Sequence, residues 1–553
     1  MTRGAAVSAQ TSIGAQARII GVLTAASRVA GFVRMLVFAA CVGASAVGAA
    51  YQSANTIPNV VFEVAAGGIL AAVVVPLLAR PLERGERQDA DRITAALLTW
   101  TLTVLVPLAV LVGVAAPWIA QALFDDPQSV LLGTRMLRVF APQIVLYGLG
   151  IVVTGVLNAQ HRFTAAALAP LVSSVVVIAT YLTYGWLSRD AAPGESAIDV
   201  LAWGTTLGVL ALVLTLVPSA RDIGLRWRPS WRFPPGVAAR ARRLAGAGLL
   251  ALVAQQVCVV TVLWLTNNRA APGSINGYQY VQAIYVLPYA VLAVPLATAA
   301  FPVLAAAQGR GGGAALTLSR TARQIVVLTG LAATVLALAA TDLGVFFEAI
   351  DAGRDGTGAA ALAALPETMR AFAPGLIGLG LSALLTRALY VRGSAWGASG
   401  VMAAGWLIAA ALPLALAGSS QDTGRTLGLL GTWSSIAMTL AACGLLLLTR
   451  RAWGVAAVAG LARVLAAAGV AAILAALFGD WLRALLPAAT SAAQAVGAGA
   501  LCALAAGSAY LGWMWALDRA ALRLVLARGG DSVGENAAPG VTQDPAAPRL
   551  SQQ

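Results

Sequence analysis

The chain has 553 residues, 59% of them hydrophobic and only 10% charged, with a mean hydropathy of +0.82. Such a balance excludes an ordinary soluble protein and makes the lipid bilayer the solvent. The 36 basic residues, all arginine, outnumber 22 acidic ones, but they lie in short loops between apolar stretches, where they orient a membrane protein; no nucleic-acid partner is expected.

A helix needs roughly 20 mostly apolar residues to cross about 30 Å of hydrocarbon. In chain order, apolar runs bounded by Arg, Gly, Pro and Asp predict spans at 15–42, 50–80, 92–123, 133–158, 165–188, 198–218 and 240–266. They continue at 276–306, 316–348, 368–392, 396–418, 424–449, 454–478 and 490–526, the last with room for an interfacial turn. The expected fold is an all-α polytopic membrane protein of about 14 transmembrane helices.

Arginine sorting supports the even count. The loop after the second span carries Arg80, Arg84 and Arg87, and that after the sixth carries Arg221, Arg226, Arg228, Arg232, Arg240, Arg242 and Arg243. Arg162, Arg310 with Arg320, Arg392, and Arg450 with Arg451 follow spans four, eight, ten and twelve, and Arg519, Arg523 and Arg528 close the last. The intervening loops carry Asp125–Asp126, Asp190 with Glu195 and Asp199, then Asp342, Glu348, Asp351 and Asp355, then Asp422, then Asp480. Both termini are therefore expected in the cytoplasm.

An internal repeat is visible: Val75-Pro-Leu-Leu-Ala-Arg80 and Phe301-Pro-Val-Leu-Ala-Ala306 align with Pro76 on Pro302, an offset of 226. Tyr51-Gln52 likewise faces Tyr278-Gln279, one residue further. The repeat unit would be six helices in the same orientation, as in a parallel two-lobe transporter. The expected parts are a cytoplasmic tail (1–14), an N-terminal lobe (15–218), a basic cytoplasmic loop (219–239), a C-terminal lobe (240–449), two further helices (450–527) and a polar tail (528–553). That tail is too rich in Gly, Pro, Asn, Gln, Ser and Asp to order itself.

Two arginines stand inside the first span, in Ser27-Arg28-Val-Ala-Gly31-Phe-Val-Arg34. Counting from Ala15, they lie roughly 20 Å and roughly 29 Å along the helix, too deep for easy snorkelling, so they should face protein or water. Intramembrane charge is costly and usually functional, though satisfaction by backbone carbonyls is the bland alternative. The second span opens on a polar stretch with Asn55, Pro58 and Asn59 and carries Glu63 ahead of Gly67-Gly68. Glu63 lies near the depth of the arginines, so a charge pair is expected, either as part of substrate handling or as simple neutralisation. Gln255-Gln256, Gln282 and Arg387 could line the same cavity, or the glutamines could only join helices. Cys41, Cys258, Cys443 and Cys502 stand singly and His161 falls in a turn, so no metal site or cofactor is expected. Neither a P-loop nor a nucleophile elbow is present, which argues against an ATP-driven pump or a hydrolase.

These segments resemble the MurJ/MviN lipid II flippases of the multidrug/oligosaccharidyl-lipid/polysaccharide exporter superfamily. The resemblance rests on Ser27-Arg28 through Arg34, Ile57-Pro58-Asn59, Phe140-Ala-Pro142-Gln143 with Tyr147-Gly148, Leu157-Asn158, Arg162-Phe163, Ala169-Pro170, Trp203-Gly204, Leu287-Pro288 and Arg387-Ala-Leu-Tyr390. It implies two six-helix lobes around a cationic cavity for a lipid diphosphate, plus two C-terminal helices offering a groove to the polyprenyl tail. It also puts Arg28 and Arg34 at the family's two first-span cavity arginines. Two departures stand out: Phe62-Glu63 where many members have a cavity arginine, and Ala283 where they carry an arginine before the Leu-Tyr of span eight. Met35 also replaces an acidic residue that often follows the second arginine.

The expected function is therefore a non-enzymatic flippase in the bacterial inner membrane, moving lipid II to the outer leaflet by alternating access. Its substrate-binding residues would be Arg28, Arg34, Asn55, Asn59, Glu63 and Gln282. The alternatives are a same-fold exporter of another polyprenyl-linked glycan or of a cationic drug, a membrane scaffold that meets cell-wall synthesis proteins, and, with least support, a membrane-embedded transferase.

Overall fold

A computed structural model describes residues 2–189, 193–223, 229–234, 237–306, 311–351, 356, 358–419 and 421–526, with the side chains of 2–21, 69, 71, 72, 237–245, 247, 311 and 312 outside the description. Arg226, Arg228, Arg310, Arg528, Asp190, Asp355 and the tail 528–553 also lie outside the described residues, as do the side chains of Arg240, Arg242 and Arg243.

The elements of the described chain are all helices. It begins with α1 (Thr2–Cys41), which runs through the segment expected as a tail, and α2 (Ala46–Phe62) and α3 (Gly68–Glu83), joined by a π-helical turn at Glu63–Gly67. There follow α4 (Arg87–Leu123), α5 (Pro127–Phe140), α6 (Gln143–Ala159), α7 (Phe163–Leu187) and α8 (Glu195–Asp222). The second series comprises α9 (Val237–Asn268), α10 (Ser274–Pro288), a second π-turn at Tyr289–Ala293, α11 (Val294–Ala306) and α12 (Gly311–Ile350). It is completed by α13 (Ala359–Ala363), α14 (Leu365–Phe372), α15 (Gly375–Val391), α16 (Ala395–Leu416) and α17 (Thr423–Trp453). Last come α18 (Leu461–Leu485), α19 (Ala492–Leu517) and α20 (Arg519–Leu526), the turn foreseen at the end of the last span.

Among the described residues, twelve helical stretches are long and apolar enough to cross a membrane, and α14 with α15, bent by 41° at the Ala373-Pro374 break, make a thirteenth. The second expected span is the rod from α2 through α3, in which the side chains at 69, 71 and 72 are not described. The π-turns begin at Glu63 and Tyr289, an offset of 226, the same offset that relates Pro76 to Pro302. Each turn widens the helix by one residue near the middle of its rod, and π-turns within helices tend to mark functional positions.

Packing divides the molecule. Helices α1 to α8 pack mainly on one another, α9 to α17 do the same, and α18 and α19 lie against α12. Without a hydrophobic drive between helices in lipid, close packing depends on small residues. A side chain at Gly155 would come 2.5 Å from Val74 Cγ1, and one at Gly378 would come 2.6 Å from the Met438 carbonyl oxygen. Between the halves, α2 packs on α10, and α2, α3 and α4 pack on α9.

The bundle has an arginine-rich end and an acidic end, and several arginines at the acidic end are engaged locally. Arg135 pairs with Asp199 at 2.7 Å and Glu195 at 3.6 Å, Arg483 pairs with Asp342, and Arg269 lies 5.1 Å from the ring centre of Trp264. Local neutralisation keeps them from opposing the charge asymmetry of the loops.

Candidate functional site

The two halves meet tightly at the acidic end. The Ala44 N–H donates to both carboxylate oxygens of Asp351, and the Tyr280 hydroxyl donates to the same group at 3.2 Å. Asn276 donates to the Gly43 carbonyl at 2.9 Å, Asn267 to Ser53 Oγ at 2.8 Å, and Asn268 to the Leu123 carbonyl at 3.1 Å. Tyr280 stacks on Phe347 with ring centres 4.7 Å apart. This is a closed seal made of residues from both halves.

Towards the other end the contact is one-sided. α1 packs on α7 and touches α12, but it is not packed along α10 and α11. Arg28 and Val29 on α1 are exposed, as are Ala283, Val286 and Leu287 on α10. These exposed faces of α1 and α10, the first carrying Arg28, lie away from the seal.

Arg34 is half-buried and within electrostatic reach of the Tyr51, Tyr147 and Tyr181 hydroxyls. Behind it runs a buried network: Tyr51 shares hydrogen bonds with Tyr181 at 2.9 Å and Thr205 at 3.0 Å. Gln143 donates to Thr206 at 2.9 Å and accepts from Tyr147 at 3.2 Å. These side chains come from α2, α6, α7 and α8, so the network ties four helices of the N-terminal half together.

Asn55, Asn59 and Glu63 follow one another at four-residue spacing and share a helix face. Asn59 Nδ2 donates to the Asn55 carbonyl at 2.9 Å, while Asn55 Oδ1 is buried with no hydrogen-bond partner among the described residues. Gln282 donates to the Tyr278 hydroxyl at 2.7 Å on the opposite half. The expected charge pair is not formed in this conformation. The ion pairs among the described residues are Arg92–Asp89, Arg135 with Glu195 and Asp199, Arg463–Asp518 and Arg483–Asp342. Glu63 instead folds back over the π-turn, where a Cβ at Gly67 would lie 2.6 Å from its Oε2.

Sequence reasoning missed the tyrosines. Tyr51 entered only through the repeat and Tyr147 only through the family resemblance, and nothing in the spacing of either, or of Tyr181, marks a link to Arg34. Tyr289 was within reach of the repeat, since adding its offset to Glu63 lands on that residue.

Comparison with known proteins gives a consistent picture. The family model described as lipid II flippase MurJ matches residues 38–491. A probable lipid II flippase MurJ from Rhizobium meliloti (strain 1021) is 30% identical over 305 residues, 53% of this chain and 55% of that protein. A lipid II flippase MurJ from Burkholderia cenocepacia is 29% identical over 302 residues, 51% of this chain and 55% of that protein. The matched part thus spans little more than half the length of these relatives. Among solved structures, a lipid II flippase MurJ in an inward closed conformation superposes with a TM-score of 0.70 at 17% identity, covering 90% of this chain and 98% of that one. An inward-facing multidrug transporter of the MATE family, MOP superfamily, follows at 0.62 and 14% identity, covering 78% and 95%. At such identities the structural likeness shows the fold.

Proposed function

This chain belongs to the lipid II flippase MurJ family, and on that premise we propose that it carries lipid II from the cytoplasmic to the outer leaflet of the bacterial inner membrane by alternating access. The observation that carries the reading is the pair Arg28 and Arg34: two arginines inside a span, in no ion pair among the described residues, on a helix left unpartnered along the eighth span. Guanidinium groups so placed form charge-assisted, bidentate hydrogen bonds with a diphosphate. In this reading the arginine-rich end and both termini are cytoplasmic, and the sealed acidic end faces outwards.

Asn55, Asn59, Glu63 and Gln282 line the path and meet the head group. The seal at Ala44 and Asp351 opens when the lobes rock, and the substrate shifts that equilibrium only by binding one state better than the other. Ala283 favours a second reading, an exporter of another polyprenyl-linked glycan, because it leaves the C-terminal wall less cationic. Cell-wall synthesis proteins are candidate partners under either reading.

Depletion in the native host tests the function: lipid II should accumulate on the cytoplasmic leaflet. Accumulation of a different polyprenyl-linked glycan would select the second reading. In reconstituted vesicles the Arg28→Ala, Arg34→Ala double variant should lose head-group movement, and full activity in that variant would reject the assigned role of the arginines.

A further inference from the structure

At its arginine-rich end the last span passes into α20 through a fixed pattern of charge and aromatic surface. Trp513, Trp515 and Leu517 are exposed towards the end of α19, as aromatic residues are at a membrane surface. Asp518 follows and is buried, with its carboxylate accepting the Ala521 N–H at 3.0 Å and so capping α20. Ala521 and Leu522 on one face of α20 are buried, and the helix packs on α12, where Gln324 donates to the Leu524 carbonyl. The outward face therefore presents Arg519 and Arg523, four residues apart and both exposed.

Two guanidinium groups at this corner are held in place. That of Arg519 lies 4.0 Å from the ring centre of Trp515, a cation–π contact, and enters no ion pair among the described residues. Arg463, near the start of α18, reaches Asp518 with Nε at 3.5 Å while its side chain stays 75% exposed. Because Asp518 and Arg519 are consecutive, Arg463 and Arg519 flank one backbone step, and Arg523 stands a turn away. Three arginines thus face one buried carboxylate. The start of α18 is itself fixed to α12, since Ser319 donates to the Ala459 carbonyl at 2.8 Å. A ligand that fits this corner offers an anion at head-group depth and hydrocarbon beneath it. A phosphodiester supplies acceptor oxygens for the guanidinium forks, and acyl chains cover the exposed Leu511 and Trp515, four residues apart on one face of α19. Free phosphate would leave that apolar face unused.

We propose that Arg463, Arg519 and Arg523 bind the phosphate of an anionic phospholipid, with Trp515 holding Arg519 in position and the lipid chains lying along α19. An occupied site ties the α18–α20 corner to one leaflet, and through α12 it ties the C-terminal half as well. The site uses none of the residues assigned to the substrate, so it stands or falls independently of lipid II movement.

The test titrates the full-length protein in neutral detergent with dioctanoyl phosphatidylglycerol, with dioctanoyl phosphatidylcholine and inorganic phosphate as controls. Affinity is read from the rise in melting temperature over each protein's own lipid-free value. Phosphatidylglycerol should stabilise saturably, and the two controls should not at the same concentrations. Arg463→Gln and Arg519→Gln should each weaken phosphatidylglycerol binding about fivefold, and together by more than about tenfold. Trp515→Leu keeps every charge and should cost about twofold by releasing Arg519. The Arg84→Gln, Arg87→Gln variant removes two exposed charges from the same end of the bundle and should bind as the native protein does. If the double variant at 463 and 519 fails to fold, Arg519→Gln alone serves, because that side chain is exposed and its loss strands no buried partner. Unchanged affinity in these variants overturns the inference. So does an equal loss in Arg84→Gln, Arg87→Gln, which would mean diffuse attraction to surface charge, and stabilisation by inorganic phosphate equal to that by phosphatidylglycerol would reject the lipid.

Discussion

The carboxylate of Asp351 accepts the backbone N–H of Ala44 on both oxygens, at 3.0 and 2.9 Å, and so ties the end of α12 to the α1–α2 connection. The approach is close enough to require glycine nearby. A Cβ at Gly358 would lie 2.1 Å from the Ala44 carbonyl oxygen, and one at Gly273, where φ is +85°, would lie 2.2 Å from it. Backbone cannot yield as a flexible side chain does.

Gly358→Ala should therefore force the acidic end apart. In a background without native cysteines, a cysteine at Asn55 should react faster with a membrane-impermeant thiol reagent added from the acidic side. Unchanged labelling would mean that the seal tolerates the methyl group and does not control access.

Asp342 and Arg483 make a second long-range prediction. The carboxylate is 2% exposed and paired with Arg483, yet its Oδ2 has no partner among the described residues. Removing one member strands a buried charge at a cost of about 3–5 kcal/mol, whereas replacing both with apolar groups is often neutral. Arg483→Ala should sharply lower the melting temperature in detergent, and the double change Asp342→Leu, Arg483→Met should restore most of it. Equal stability of all three proteins would show that the pair is already solvated.

Glu63 carries a prediction about coupling. The expected ion pair is absent from the sealed conformation, so Glu63→Gln should leave detergent stability within about 0.5 kcal/mol of the native protein. The proposal is that Glu63 pairs with a first-span arginine in the other access state and is displaced there by substrate. Precursor binding should then hold or tighten while turnover slows. Unchanged stability, binding and transport together would remove Glu63 from the mechanism.

The tyrosine network should matter through geometry rather than charge. Tyr51 is 1% exposed, so Tyr181→Phe leaves its hydroxyl with one partner fewer, at a cost of about 1 kcal/mol. If that hydroxyl pair also positions Arg34, Tyr181→Phe should weaken diphosphate binding without altering binding of an uncharged prenyl alcohol. A stability loss with diphosphate affinity intact would confine the pair to packing.

The helical spans are legible in the amino-acid order alone, because a bilayer demands long apolar stretches and charge asymmetry is written in the loops. It also carried the repeat, and the Pro76 to Pro302 offset recurs as the spacing of the two π-turns. Arg28, Arg34 and Glu63 were legible as candidates because a charge inside an apolar run stands out at any level of detail. Their pairing was not, since depth along two helices leaves rotation undetermined, and rotation follows from packing against neighbours far away in sequence. Tertiary structure alone turned Glu63 over Gly67, Arg387 towards Ala383, and Asp351 onto Ala44 across 307 residues of chain. It likewise paired the Tyr51 and Tyr181 hydroxyls, because side chains on two helices become neighbours only when those helices pack.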